Sequence, residues 1–110
     1  MIKKTIEKIE ASIQKISTSD NQKKDELIKL LSSLKLEIEE LYKTHNEHAQ
    51  SIAGFAEIAS HETTRKNKES HLVNLSLEGL SSSVKGFEAS NPKLVKIVND
   101  LCNLLSSIGI

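Results

Sequence analysis

The isoleucines that open the chain, Ile2, Ile6, Ile9, Ile13 and Ile16, recur at spacings of four, three, four and three. That interval puts all five on one stripe of an α-helix and would scatter them over both faces of a strand. "STSDNQ" (17–22) ends the stripe. Ser19, with Gln22 three residues on, can form a capping box for a second helix, and Asp20 suits its positive end.

The same alternation then runs through Leu27, Leu31, Leu34, Ile38, Leu41, His45, His48, Ile52, Phe55 and Ala59 without a slip. It predicts one helix over 20–63, roughly 60 Å long at the helical rise. Gly54 lies inside it and marks the place for a kink. "TTRKNKES" (63–70) reads as a connection. A third seam follows in Val73, Leu77, Leu80, Val84 and Phe87, with Gly79, Ser81, Ser82, Ser83 and Gly86 around it as small residues that admit a close neighbour. Asn91 is a natural N-cap, and Pro92 fits the first position of a last helix. There Leu94, Val98, Leu101, Leu105 and Ile108 form a stripe that Val95, Ile97 and Leu104 widen, and Gly109 is placed to end it. So broad a stripe implies more than one neighbour.

Helices are therefore expected near 2–17, 20–63, 70–88 and 92–108, with no strand. The fold class is all-α: a four-helix bundle with a long second helix, bent or straight at Gly54, and coiled-coil-like heptad seams. Residues 1–110 form one helical-bundle domain, with an N-terminal hairpin over 1–63, a linker over 64–70 and a C-terminal hairpin over 71–110. The all-Ile first seam favours assemblies of three or four helices over simple pairs.

Composition removes other architectures. One Pro and four Gly in 110 residues are too few for a sandwich or barrel, which turns at every strand end. Fifteen basic residues balance fifteen acidic ones, so no overall field draws the chain to nucleic acid or anionic lipid. Residues 1–24 carry six Lys against three acids and residues 25–47 six acids against three Lys, which suits two helices side by side. No apolar run approaches the ~18–20 residues that span a bilayer, and "MIKKTIEKIE" lacks the apolar core of a signal peptide. The single Cys102 cannot form an internal disulfide. The expected compartment is the cytoplasm.

In "VKGFEASNPKLVKIVNDLCNLLSSIGI", Phe87, Glu88, Pro92, Leu94, Gly109 and Ile110 fall on a pattern of Phe-Glu-x-x-His-Pro-x-Leu followed by an apolar helix ending in Gly-Ile. The chain resembles, in this pattern and in its Ser/Asp-linked N-terminal helices, a set of small bacterial helical proteins grouped as a domain of unknown function. The resemblance covers roughly residues 1–42 and 72–110. Asn91 stands where that family has His, and the segment 43–71 is longer than its linker. It implies a helical fold and a bacterial origin, and brings no activity, cofactor or catalytic residue.

"HNEHAQSIAGFAEIASHE" (45–62) holds three of the four histidines. His45 and His48 share one helical face, and Glu57 and His61 make a second pair. Imidazole and carboxylate at these spacings can ligate Zn²⁺. Residue 61 lies about 20 Å beyond 48 on a straight helix, so one metal could join the pairs only across a bend or between chains. The competing readings are polar seam residues that set register, and solvated residues on a helix that has left the bundle. "HETTR" (61–65) has Arg65 where the second His of a zinc-protease helix must stand. Glu-x-x-His pairs and phosphate-binding loops are absent from the sequence. Cys102, beside the last stripe, reads as a buried thiol, and "RKNK" (65–68) as a solvated linker.

The expected function is a non-enzymatic protein–protein interaction module, a self-associating bundle serving as adaptor or small subunit, without cofactor, nucleic-acid or membrane partner. A homodimer or higher oligomer would bury the long seam at Ile38, Leu41, His45, His48, Ile52, Phe55 and Ala59, with an unidentified protein partner besides. The alternative is a small metal- or ligand-binding bundle using His45, His48, Glu57 and His61.

Overall fold

Among the described residues the seams fold as helices, but as five of them. A computed structural model describes residues 2–14 and 21–109 and contains α1 (Ile2–Gln14), α2 (Asn21–Tyr42), α3 (Asn46–Thr64), α4 (Ser70–Ser83) and α5 (Pro92–Gly109). Among the described residues there is no strand. Residues 15–20, where the first helix is expected to end and the Ser19–Gln22 capping box to begin, lie outside the described residues, as does Ile110.

The single helix expected over 20–63 is corrected to two. Leu27, Leu31, Leu34, Ile38 and Leu41 keep their stripe and are buried. The helix then closes in tight turns, with Lys43 N–H donating to the Glu40 carbonyl at 3.2 Å and Thr44 N–H to that of Leu41 at 3.1 Å. The Thr44 hydroxyl bonds the Leu41 carbonyl at 3.4 Å and sits 2.8 Å from His45 Nδ1, a local alternative to the next helical turn. His45 leaves helical geometry at φ −136° and ψ 66° and becomes the N-cap of α3, accepting from Ala49 N–H at 3.0 Å. Gly54, the expected kink, lies inside unbroken α3.

Burial explains the break. A straight 60 Å rod cannot serve a molecule whose longest extent is 38 Å. Breaking at 43–45 lets α3 fold back and present Ala49, Ile52, Ala53, Ala56, Ala59, Ser60 and Thr63 to the interior. These side chains are small, so neighbours approach closely, and α3 touches all four other helices. The resulting arrangement is three over two. α1, α3 and α4 form one layer with α3 in the middle, and α2 and α5 form the other. Among the described residues α1 touches neither α4 nor α5, and α2 does not touch α4.

α4 also ends earlier than the expected 88. Val84 leaves the helix at φ −105° and ψ 3°, and Gly86 takes φ +98°, a left-handed conformation that favours glycine. Its amide donates to the Glu88 carboxylate at 2.7 Å, fixing the turn that carries Phe87 inward. α5 begins at Pro92 as expected, with Val95 N–H donating to the Asn91 carbonyl at 3.2 Å. Leu94, Ile97, Val98, Leu101 and Leu105 are buried, and α5 meets α2, α3 and α4.

The buried face of α3 holds one unsatisfied group. Thr63 and Thr64 donate their hydroxyls to the carbonyls of Ala59 and Ser60 at 2.8 and 2.6 Å. The Ser60 hydroxyl is fully buried with no hydrogen-bond partner among the described residues. An orphaned hydroxyl costs about 1 kcal/mol or more. Ser60→Ala is therefore expected to stabilise the protein by about 1 kcal/mol, read as a higher midpoint in urea with an unchanged slope.

Candidate functional site

His45 and His48 flank the start of α3, and Phe87 reaches them from the α4–α5 turn. The ring centroids of His45 and His48 lie 5.8 and 5.5 Å from that of Phe87, and 6.1 Å from each other, all edge-on. Both imidazoles are exposed while Phe87 is buried beneath them. The seam position expected for the two histidines is thus corrected: they lie outside the core, as a lid over an aromatic ring. The physical reason is the break before α3, which turns the 45–48 face outward.

Glu57 and His61 lie farther along α3, in an open groove of about 740 Å³ between α1 and α3, lined also by Lys8, Gly54, Ile58 and Glu62. Lys8 Nζ stands 3.9 Å from the Glu57 carboxylate, and His61 Nε2 3.9 Å from that of Glu62. Glu62 is held in turn by Arg65 at 2.9 Å. The four candidate ligands therefore stay in two separate pairs. Among the described residues no three His, Cys, Asp or Glu side chains gather to hold a metal ion.

Of the residues expected at an oligomer interface, Ile38, Leu41, Ile52 and Ala59 are buried within the chain itself. His45, His48 and Phe55 reach the surface. Among the described residues the exposed large apolar side chains are Leu36 and Tyr42 on α2, Phe55 and Ile58 on α3, and Leu75 on α4. Phe55 is 38% exposed, Ile58 50% and Leu75 50%. The Phe55 ring lies over Gly79 of α4, where an added Cβ would stand 2.6 Å from it. Leu75 is one turn before Gly79 on α4, and Ile58 about one turn after Phe55 on α3. The short 65–69 connection makes these helices antiparallel neighbours, with Phe55 set against α4 at Gly79 and Ile58 beside the groove toward α1. Sequence reasoning missed Leu75 because it lies off the α4 stripe. Gly79, noted there as a small residue, was the available signal.

Burial pushes the Cys102 thiol up to about 11. Its Sγ donates to the Leu77 carbonyl at 3.8 Å. With the pKa raised, the thiol stays protonated at neutral pH and gains reactivity only as pH rises toward 11. Alkylation by iodoacetamide at neutral pH, followed by mass spectrometry, is expected to be slow in the folded protein and at least ten-fold faster in denaturant.

Compared with protein-family models, curated proteins and solved structures, the chain matches none. No helix among the described residues is long and apolar enough to cross a membrane.

Proposed function

We propose that this chain is a non-enzymatic interaction module: a helical bundle that associates with itself and serves as adaptor or small subunit of a bacterial assembly. The bacterial setting rests on the family resemblance alone. The observation that carries the reading is the apolar outer surface of the α1–α3–α4 layer, where Phe55 and Ile58 of α3 and Leu75 of α4 are exposed. Large apolar side chains grouped on an exterior mark contact sites more often than solitary ones do. The long-seam argument for a dimer no longer applies, because the helix breaks at 43–45 and Ile38, Leu41, Ile52 and Ala59 are buried within the chain. The apolar outer surface replaces it.

Light scattering across a dilution series tests the proposal. Twice the chain mass of 12.2 kDa at high micromolar concentration, falling on dilution, is expected. A constant 12.2 kDa at every concentration would refute self-association.

A further inference from the structure

A second four-three series runs along α3 and its C-cap on the side away from the core: Glu47, Ser51, Gly54, Ile58, His61 and Arg65. Glu47, Ser51, Ile58 and His61 are exposed, while Gly54 and Arg65 are half-buried. Because α1 and α4 flank α3 without touching each other, this line follows the middle of the outer face of the three-helix layer. It is also symmetric about Ala56. Glu47 and Arg65 lie nine residues to either side, Ser51 and His61 five, and Gly54 and Ile58 two.

We propose that two copies of the chain pack α3 against α3, antiparallel, about a two-fold axis at the level of Ala56. The proposal rests on the self-association reading and names its surface. In this register every position meets a complement. Glu47 faces Arg65 of the second copy, a carboxylate against a guanidinium that Glu62 already orients at 2.9 Å. Ser51 faces His61, hydroxyl against imidazole. Ile58 faces Gly54, a knob against a hole.

The single chain leaves room for the knob: a Cβ built at Gly54 meets no atom within 4 Å, and Gly54 and Ile58 both line the groove between α3 and α1. The two-fold axis fills it twice. Phe55 and Leu75, to one side of the line, extend the apolar contact. A face of 38 by 24 Å has room for the roughly 800 Å² that each partner of a stable interface buries. Parallel packing is disfavoured, since it sets Glu47 on Glu47, Arg65 on Arg65 and Gly54 on Gly54. A complement within one stripe selects a second copy over an unrelated partner.

Three variants and one cross-link test the interface. Gly54→Gln has open space and a better helix former within the chain, so helicity and melting should hold while the dimer Kd rises at least ten-fold. Glu47→Arg and Arg65→Glu should each weaken the dimer several-fold, and a one-to-one mixture of the two should restore it, because the mixed pair regains both charge contacts. In a Cys102→Ser background, mixing Gly54→Cys and Ile58→Cys chains under oxidation should give a disulfide-linked dimer that neither forms alone. A dimer that survives Gly54→Gln and yields no mixed cross-link overturns this interface but leaves self-association standing. A wild-type chain that is monomeric at every concentration overturns both.

Discussion

Replacing Leu101 with Asp is expected to leave no cooperatively folded protein at room temperature. Leu101 is fully buried on α5, the helix that closes against α2, α3 and α4 together. The lysines of α5 cannot rescue a carboxylate there. Lys96 holds Asp100 at 2.9 Å and Lys93 stands 3.8 Å from Glu37, both at the surface. The substitution removes a large apolar side chain, worth ~2–5 kcal/mol by truncation alone, and adds an unpaired charge that costs several more. A chain of this size has roughly 5–15 kcal/mol in total. Circular dichroism should show a broad, non-cooperative melt. Leu36→Asp is the control, because Leu36 is 64% exposed and its replacement should leave the transition in place. A normal melt for Leu101→Asp would mean that the α5 stripe faces solvent.

The second large effect is expected at Phe87. Its ring is buried where the α4–α5 turn meets the start of α3. Phe87→Ala should cost about 3 kcal/mol, the low end for a buried Phe, because the cavity opens toward two surface imidazoles that can partly collapse into it. For a chain of this length that lowers the melting temperature by on the order of 10–15 °C. The variant has a local signature too. Both imidazoles sit edge-on to the ring, so their proton resonances should move toward ordinary histidine shifts in the NMR spectrum. Loss of stability without those shifts would show that the histidines do not rest on Phe87 in solution.

Where the side chains are unambiguous, the sequence was legible. Leu27 to Leu41 and Leu94 to Leu105 were read in the register in which they are buried, because large aliphatic residues at helical spacing have one economical place to go. The interval 43–45 was not legible. It has neither Gly nor Pro, and His45 and His48 continue the numerical alternation while facing solvent. The true inner stripe of α3 is mostly Ala, Ser and Thr, residues that a search for large apolar side chains passes over. Gly86 illustrates a signal seen but given the wrong meaning. Its size suggests a packing residue, and its φ of +98° makes it a helix-ending turn. The candidate site suffered most, since an outward face becomes visible only once the inward one is known.

α3 is central in sequence as well as in space, and this bears on how quickly the native state is reached. Every other helix docks on α3, and the α2–α5 contact is the one that joins helices far apart along the chain. Loop-closure entropy stays small for the contacts between successive helices, and helical proteins rich in such contacts fold in microseconds to milliseconds. The same arrangement withholds a stable half-way species. The α1–α2 and α4–α5 pairs touch within themselves, but each lacks its central neighbour until α3 forms, so neither half buries its core alone. Refolding should then be a single exponential, with the alanine-lined helix setting its rate.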